Sequence, residues 1–253
     1  MQVARPAGRR PKHQVIADEL RGAILAGQHR DGDRLPAEDA LMEQYRVSRA
    51  TARHAVATLQ QQGLAVARHG AGVFVRRPQP VYRRSPQRLA RSHWSEGRAI
   101  WDVDADDREV TVDMIEVLEE PAVEHIARSL ELDLGAPVLV RRRRYSIDGR
   151  PVQYAVSHIP AELATGTPIA EPDPGPGGIY ARLADVGAGP TRFLEEVRSR
   201  MPTADEVRLL QLPAAGAPVL EIVRTALAGR RPVEMNQMIL DAGAHVLAYA
   251  FNA

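Results

Sequence analysis

The chain has 253 residues, 44% of them hydrophobic, with 33 Lys+Arg against 32 Asp+Glu and no cysteine. That length holds one large domain or two medium ones. The missing thiols exclude disulfides and thiolate metal sites, no apolar run approaches membrane-spanning length, and the charged start MQVARPAGRRPK lacks a signal-peptide apolar region, so a cytoplasmic protein is expected.

Charge is unevenly spread. Residues 1–80 carry 13 Lys+Arg against 7 Asp+Glu, whereas residues 81–253 carry 20 against 25. A basic front on an acidic body suits a polyanionic partner at one end. Residues 1–12, rich in Pro, Gly and Arg, read as a disordered basic arm. From His13 to Ala26, Ile16, Leu20 and Ile24 recur four apart, and Gly27 stops the helix. HRDGDRLP is turn-rich. Pro36 opens a short second helix with Leu41 and Tyr45 inward. Ser48 is an N-cap candidate for a third helix that turns Ala52, Val56 and Leu59 inward and ends at Gly63. Leu64–Arg68 and Val73–Arg77 are short strands around His69-Gly70-Ala71-Gly72, which closes a unit of residues 13–77. Residues 78–100 read as a basic linker, with Trp94 and Trp101 as packing anchors at its junction, and residues 101–253 form the second unit.

The second unit repeats itself. GAPVLVRRRRYSIDGRPVQ (Gly135–Gln153) recurs without a gap, 81 residues on, as GAPVLEIVRTALAGRRPVE (Gly216–Glu234). Each copy is a strand, a turn and a returning strand, and Asp148-Gly149 is a hairpin signal. Helical segments precede both copies, Ala122–Leu132 and Thr203–Leu212. Two helix-then-hairpin units imply one antiparallel sheet with helices against it, an α+β domain. The run EPDPGPGG, Glu171–Gly178, is a loop between the halves.

Two sets of residues carry chemistry. Arg49 and Arg53, four apart, share a face of the third helix away from its apolar stripe. Their planar forks suit a guanine edge or a phosphate. Ser48 and Thr51 are short donors at the helix start, and the methyl of Ala50 suits a thymine methyl. Gly70 allows close backbone approach, and His69 reaches a minor-groove edge or phosphate. In the second unit Arg143, Tyr145, Gln153, Ser157, Tyr180 and Glu234 form a candidate pocket. Arg143 and Tyr145 share a strand face. A three-residue turn puts Gln153 and Ser157 on it, and a two-residue turn puts Tyr154 there instead. Arg142 and Arg144 are expected on a solvated sheet face. The histidines have no metal-ligand spacing, there is no phosphate loop, and no Ser-His-acid order is assignable, so no metal, no cofactor and no catalytic residue is expected.

LPAE (Leu35–Glu38), VSRATAR (Val47–Arg53), Leu59, Gly63 and Leu64 at the end of the third helix, and GAGVFV (Gly70–Val75) together resemble the winged helix-turn-helix of the GntR family of bacterial transcription regulators. The resemblance implies operator contact by Ser48, Arg49, Thr51 and Arg53, and by His69 and Gly70 on the wing. The family commonly has arginine after LP-x-E, where this chain has Asp39. Either that contact is missing or another arginine such as Arg34 replaces it. Residues from about 83 to 253 resemble the UTRA effector-binding domain of the HutC-like branch, through the repeated hairpin, IYARL (Ile179–Leu183) and HVLAYAF (His245–Phe251). That domain resembles chorismate lyase and binds a small molecule between its halves. Of the residues found in phosphosugar-binding members, Arg143 and Glu234 match, but Tyr145, Ala155 and Gly178 do not, so a phosphosugar is not expected. The resemblance implies a repressor that binds a palindromic operator as a homodimer under control of a small-molecule effector, not an enzyme. The alternatives are a constitutive plasmid or conjugation repressor without effector, and a lyase-like enzyme with an accessory DNA-binding unit.

Overall fold

The computed structural model describes residues 10–68, 70–76, 80–85, 87–96, 108–212 and 217–250. They divide near residue 79 into two compact units.

In the first unit, α1 (Lys12–Leu25), α2 (Glu38–Tyr45) and α3 (Arg49–Gln61) precede the hairpin β1 (Ala65–Arg68) and β2 (Gly72–Val75). The residues predicted to face inward do so. Ile16, Leu20 and Ile24 of α1, Leu41 of α2, and Ala52, Val56 and Leu59 of α3 join Leu35, Ala65 and Val75 in one core. Ser48 caps α3, its Oγ accepting the Thr51 amide. Phe74 pairs with Arg34 in an isolated antiparallel bridge, so the hairpin gains a third short edge.

The second unit holds a six-stranded antiparallel sheet, ordered β4 (Val110–Pro121), β5 (Pro137–Ile147), β6 (Arg150–Pro160), β9 (Arg231–Asp241), β8 (Val219–Ala228) and β7 (Arg192–Arg200). The order is a palindrome about the β6–β9 seam, as the 81-residue repeat requires. Each half is strand, helix, hairpin. Helices α5 (Glu124–Leu130) and α8 (Ala204–Leu209) occupy equivalent places, the second opened by a capping box between Thr203 and Glu206. α5 packs on Val138, Val140 and Met235, and Val207, before Leu210, packs near Val219 and Ile239. The opposite face carries α4 (Arg91–Ser95), α6 (Ala161–Ala164) and α7 (Gly178–Asp185), with Trp94, Leu163, Ile179, Tyr180 and Leu183 in its core.

Three features differ from the sequence reading. The opening strands β4 and β7 were not anticipated. Both are sheet edges, and their many carboxylates and arginines hide the period-two signal. The expected linker is in part folded. Within residues 78–100, β3 (Val81–Ser85) pairs in parallel with β10 (His245–Tyr249), and α4 buries Trp94. The inward positions of β3 are Val81 and Arg83. The cation is paired to Glu195 of β7, and a buried arginine does not read as core in a sequence. Arg142 and Arg144, expected to be solvated, are partly buried and ion-paired to β4 through Glu116, Glu120 and Asp113. No helix of the described residues is long and apolar enough to cross a membrane. Residues 1–9, 97–107 and 251–253, with Trp101 and the end of HVLAYAF, lie outside the described residues.

His245 begins β10, its Nδ1 3.0 Å from the Asp241 carbonyl oxygen. Burial pushes its pKa down to about 4, with the nearby Arg83 and Arg88 guanidiniums adding to the effect. An unfolded chain protonates this ring near pH 6.5. Between those values the unfolded state binds a proton that the folded state refuses, so stability falls as pH drops through that window. Urea unfolding at pH 7 and pH 4.5 is expected to show wild type losing about 2–3 kcal/mol more than His245→Gln over that interval. Equal losses exclude this role for the ring.

Candidate functional site: a basic helix end and a cationic cavity

Two places gather the chemistry, one in each unit. The first is the N-terminal end of α3. Ser48, Arg49, Ala50 and Arg53 are exposed there, and Thr51 is half-buried. Ser48 Oγ lies 3.0 Å from Thr51 Oγ1, so both hydroxyls are held at the cap. The guanidiniums are engaged by α2. Arg49 Nη2 donates to Asp39 Oδ1 at 2.5 Å. Arg53 donates through Nε and Nη2 to the two Glu38 oxygens, at 3.0 and 3.2 Å. The Arg53 hydrogen bonds hold the Glu38 carboxyl below its usual pKa. Asp39 therefore tethers Arg49 at the start of α3. Arg34 lies against Gly72, where an added Cβ would come within 2.9 Å of its Nε. The Arg68 guanidinium stacks 4.4 Å over the Phe74 ring and stiffens the wing. Gly70 is exposed at the turn with φ +71°, and His69 lies outside the described residues.

The second place is a cavity of about 480 Å³ on the face of the sheet opposite α5 and α8. Register puts its residues there. Each hairpin has a two-residue turn, and each return strand carries one extra residue, Val152 in β6 and Val233 in β9. The bulge therefore places Gln153 opposite Tyr145 and Ser157 opposite Arg141, although the turn is the two-residue type that predicted Tyr154 there. Its equivalent places Glu234 opposite Ala226 and Asn236 opposite Arg224.

Five of the six expected pocket residues, Arg143, Tyr145, Gln153, Tyr180 and Glu234, line the cavity. Ser157 is buried just behind it and links two of them. It accepts from Arg143 Nη2 at 3.2 Å and donates to Glu234 Oε1 at 2.7 Å. The Tyr180 hydroxyl donates to Glu234 Oε2 at 2.6 Å, and burial, with the carboxylate beside it, pushes the phenol pKa well up. The Arg224 guanidinium lies 5.5 Å from the Tyr180 ring centroid. Burial works against that cation, but Tyr180, Glu234 and Glu195 together outweigh it and raise its pKa.

Sequence reasoning missed Arg88, Arg224, Asn236 and the loop from Pro172 to Gly178 as cavity lining. For two of these a signal existed. Arg224 repeats Arg143 at the 81-residue offset, and Asn236 occupies the repeat position of Ala155. Arg88 lies in the stretch read as linker. Arg141, not singled out before, holds the loop over the cavity. It is fully buried and donates to the carbonyls of Ile169, Glu171 and Pro172. Burial, then the neighbouring Arg143, brings its pKa down to about 10. Among the described residues no group of three His, Asp or Glu is placed to hold a metal.

A winged helix-turn-helix with a cationic helix start, on the same chain as an α+β domain with a polar-lined cavity, defines a one-component DNA-binding regulator. The comparisons agree. Residues 12–75 match the model of bacterial regulatory proteins of the gntR family, and residues 105–245 match the UTRA domain. The chain belongs to the GntR family and carries a UTRA domain. It is 33% identical over 230 residues to an uncharacterized HTH-type transcriptional regulator of Streptomyces coelicolor, covering 87% of this chain and 84% of the relative. It is 32% identical over 205 residues to the HTH-type transcriptional repressor PhnF of Mycolicibacterium smegmatis, covering 79% and 75%. The crystal structure of PhnF from Mycobacterium smegmatis superposes with a TM-score of 0.56 at 25% identity, covering 94% of this chain and 99% of that one.

Gly177 tests how the cavity loop is seated. Its φ is +79°, and an added Cβ would fall 2.3 Å from the Trp94 carbonyl oxygen and 2.7 Å from Ala181 Cβ. Gly177→Ala is expected to cost about 2 kcal/mol or more in urea unfolding of the second unit. A change within about 0.5 kcal/mol of wild type shows that loop and α4 do not meet at this point.

Proposed function

We propose that this protein is a cytoplasmic repressor that binds a palindromic operator as a homodimer and responds to a small molecule held in the cavity. Residues 13–77 form the DNA-binding unit, and the effector module begins near residue 80, with β3. The observation that carries the reading is the exposed end of α3, where two guanidiniums and two hydroxyls stand beside a glycine-turned wing. A homodimer would set two such ends on half-sites one helical turn, ~34 Å, apart. Arg49 and Arg53 read base edges or phosphates, Ser48 and Thr51 fix register on the backbone, Ala50 meets a thymine methyl, and His69 and Gly70 enter the minor groove. That PhnF is named a repressor supports a repressing sign.

The cavity favours the effector-controlled reading over a constitutive one. Buried polar side chains facing an empty pocket cost stability, and a protein without a ligand gains nothing from them. A lyase reading has no support in the geometry, because the buried carboxylate of Glu234 is engaged by Ser157 and Tyr180. Coupling between effector and operator is expected at ~1–3 kcal/mol.

The DNA reading is tested on a duplex selected by the full-length protein from a random library, in gel shifts at matched salt. Arg49→Ala is expected to weaken binding about 10- to 100-fold, the worth of a bidentate base contact. Arg128→Ala, which removes an equal charge from an exposed position of α5, is the control. If both variants bind as wild type does, the recognition-helix assignment is wrong.

A further inference from the structure

We propose that the cavity takes a small carboxylic acid, with its carboxylate against Arg143, an apolar body, and a hydroxyl or N–H group that reaches the amides of Gln153 and Asn236. The proposal deepens the effector reading above and rests on it.

The charges around the cavity come first. Arg88, Arg143 and Arg224 line it as cations, and Glu234 and Asp173 as anions. Glu234 spends its oxygens on Ser157 and Tyr180, and Asp173 accepts the Gly175 amide within its own loop at 2.9 Å. Glu195, behind the wall, pairs with Arg83 and stands 3.8 Å from Arg224 Nη1. Arg143 Nε, and Arg224 Nε and Nη1, find no hydrogen-bond partner among the described residues. Cavity-lining Arg143 and Arg224, with N–H groups that lack a hydrogen-bond partner among the described residues, suit an anion.

The amides come next. Gln153 is 3% exposed and Asn236 4% exposed, yet Gln153 Oε1 and Asn236 Oδ1 have no hydrogen-bond partner among the described residues. On the sheet, Gln153 lies in the row of Tyr145, one row to one side of Arg143, and Asn236 lies in the row of Ser157, one row to the other. An anion held by Arg143 is thus flanked by two amide acceptors. Native proteins seldom leave such atoms unpaired, and two of them lining one cavity suit a ligand that supplies donors. Polar atoms of the ligand beyond its carboxylate satisfy them.

The rest of the wall decides between ligand classes. Val112, Ile115, Ile179, Met238 and the Tyr145 ring present hydrocarbon. A sugar phosphate, with a hydroxyl on nearly every carbon, would bury most of those hydroxyls against apolar surface. A carboxylic acid with an apolar body and one further polar group fits both walls, and the volume is that of a small-metabolite site.

The test is a thermal-shift and calorimetric panel on the full chain at constant ionic strength. The probes are 4-hydroxybenzoate, phenyllactate, tryptophan and 2-hydroxyhexanoate, the neutral amide of each, and glucose 6-phosphate, glucosamine 6-phosphate and inorganic phosphate. At least one carboxylate is expected to raise the melting temperature, and its amide and the phosphates are expected not to. Arg143→Gln is expected to weaken that carboxylate about 10- to 100-fold, as loss of a charged hydrogen bond does. Asn236→Leu is expected to melt higher than wild type without ligand, because it removes an unpaired buried acceptor, and to lose the ligand shift. A carboxylate that binds no better than its amide, or that binds Arg143→Gln as well as wild type, overturns the proposal. So does a panel in which only phosphates bind, although the effector reading then survives. If nothing in the panel binds, both readings fall.

Discussion

The second unit depends on a one-residue irregularity used twice. A strand sends alternate side chains to opposite faces, so a slip of one residue exchanges core for surface along its whole length. The extra residues Val152 and Val233 impose such a slip just after each turn. Were the pairing regular, with Val152 opposite Tyr145 and Val233 opposite Ala226, Gln153, Ser157, Glu234 and Asn236 would face α5 and α8, among Val138, Val140 and Val219. Four polar groups would then sit in an apolar layer, each costing about 1–3 kcal/mol unless paired. With the bulges, the same four meet across the β6–β9 seam on one face. Both bulges follow a two-residue turn and an Arg-Pro return, so the register is set within each hairpin.

Once register has gathered the polar groups, burial dictates how they pair. An isolated buried charge is expensive, and a pair is tolerated only when its remaining hydrogen-bonding sites are filled. Glu234 meets that condition with two hydroxyl donors. Arg141 meets it in part and without a carboxylate, its two Nη atoms donating to three backbone carbonyls while its Nε has no hydrogen-bond partner among the described residues, and so anchors the loop from Glu171 onward. Arg224 and Arg143 meet it incompletely, and Gln153 and Asn236 less so. Gln153, Asn236, Arg143 and Arg224 gather four such cases around the cavity, while others, at Trp94, His158 and Arg182, lie outside its lining.

The first unit was legible because its signals are local. Helix period, a serine cap and a glycine turn each act within a few residues, and the inward positions of α1 to α3 follow from them. The second unit was legible where it repeats, since an 81-residue echo reports two copies of one hairpin and, with them, one shared sheet. It was illegible where contact is distant and polar. β3 pairs with β10 more than 160 residues away, through a strand whose inward members are a valine and an arginine. Edge strands β4 and β7 have one side without a neighbouring strand, and their charged faces erase the alternation that marks a buried strand. The two-against-three-residue turn was undecidable because the true answer, a short turn plus a bulge, yields the face expected of the longer one. Arg88 carried no signal at all, since a lone arginine in a basic stretch acquires meaning only from the wall it reaches.

The same accounting applies to the helix that would meet DNA. Glu38 and Asp39 in the first turn of α2 sit where the helix dipole favours a carboxylate, and they neutralise Arg49 and Arg53 on paper. Both arginines remain largely exposed, however, and exposed ion pairs contribute at most about 1 kcal/mol. A phosphate or a guanine edge can therefore replace the carboxylates at small cost. The pairs instead restrict where the forks point before any duplex arrives, reducing the entropy lost when a bidentate contact forms. Bidentate Arg53 is the more restrained of the two. Asp39 also removes a positive charge that the family commonly supplies at this step. In the proposed complex the face then draws less on nonspecific attraction to the backbone and relies more on the geometry of two oriented guanidiniums and a rigid wing.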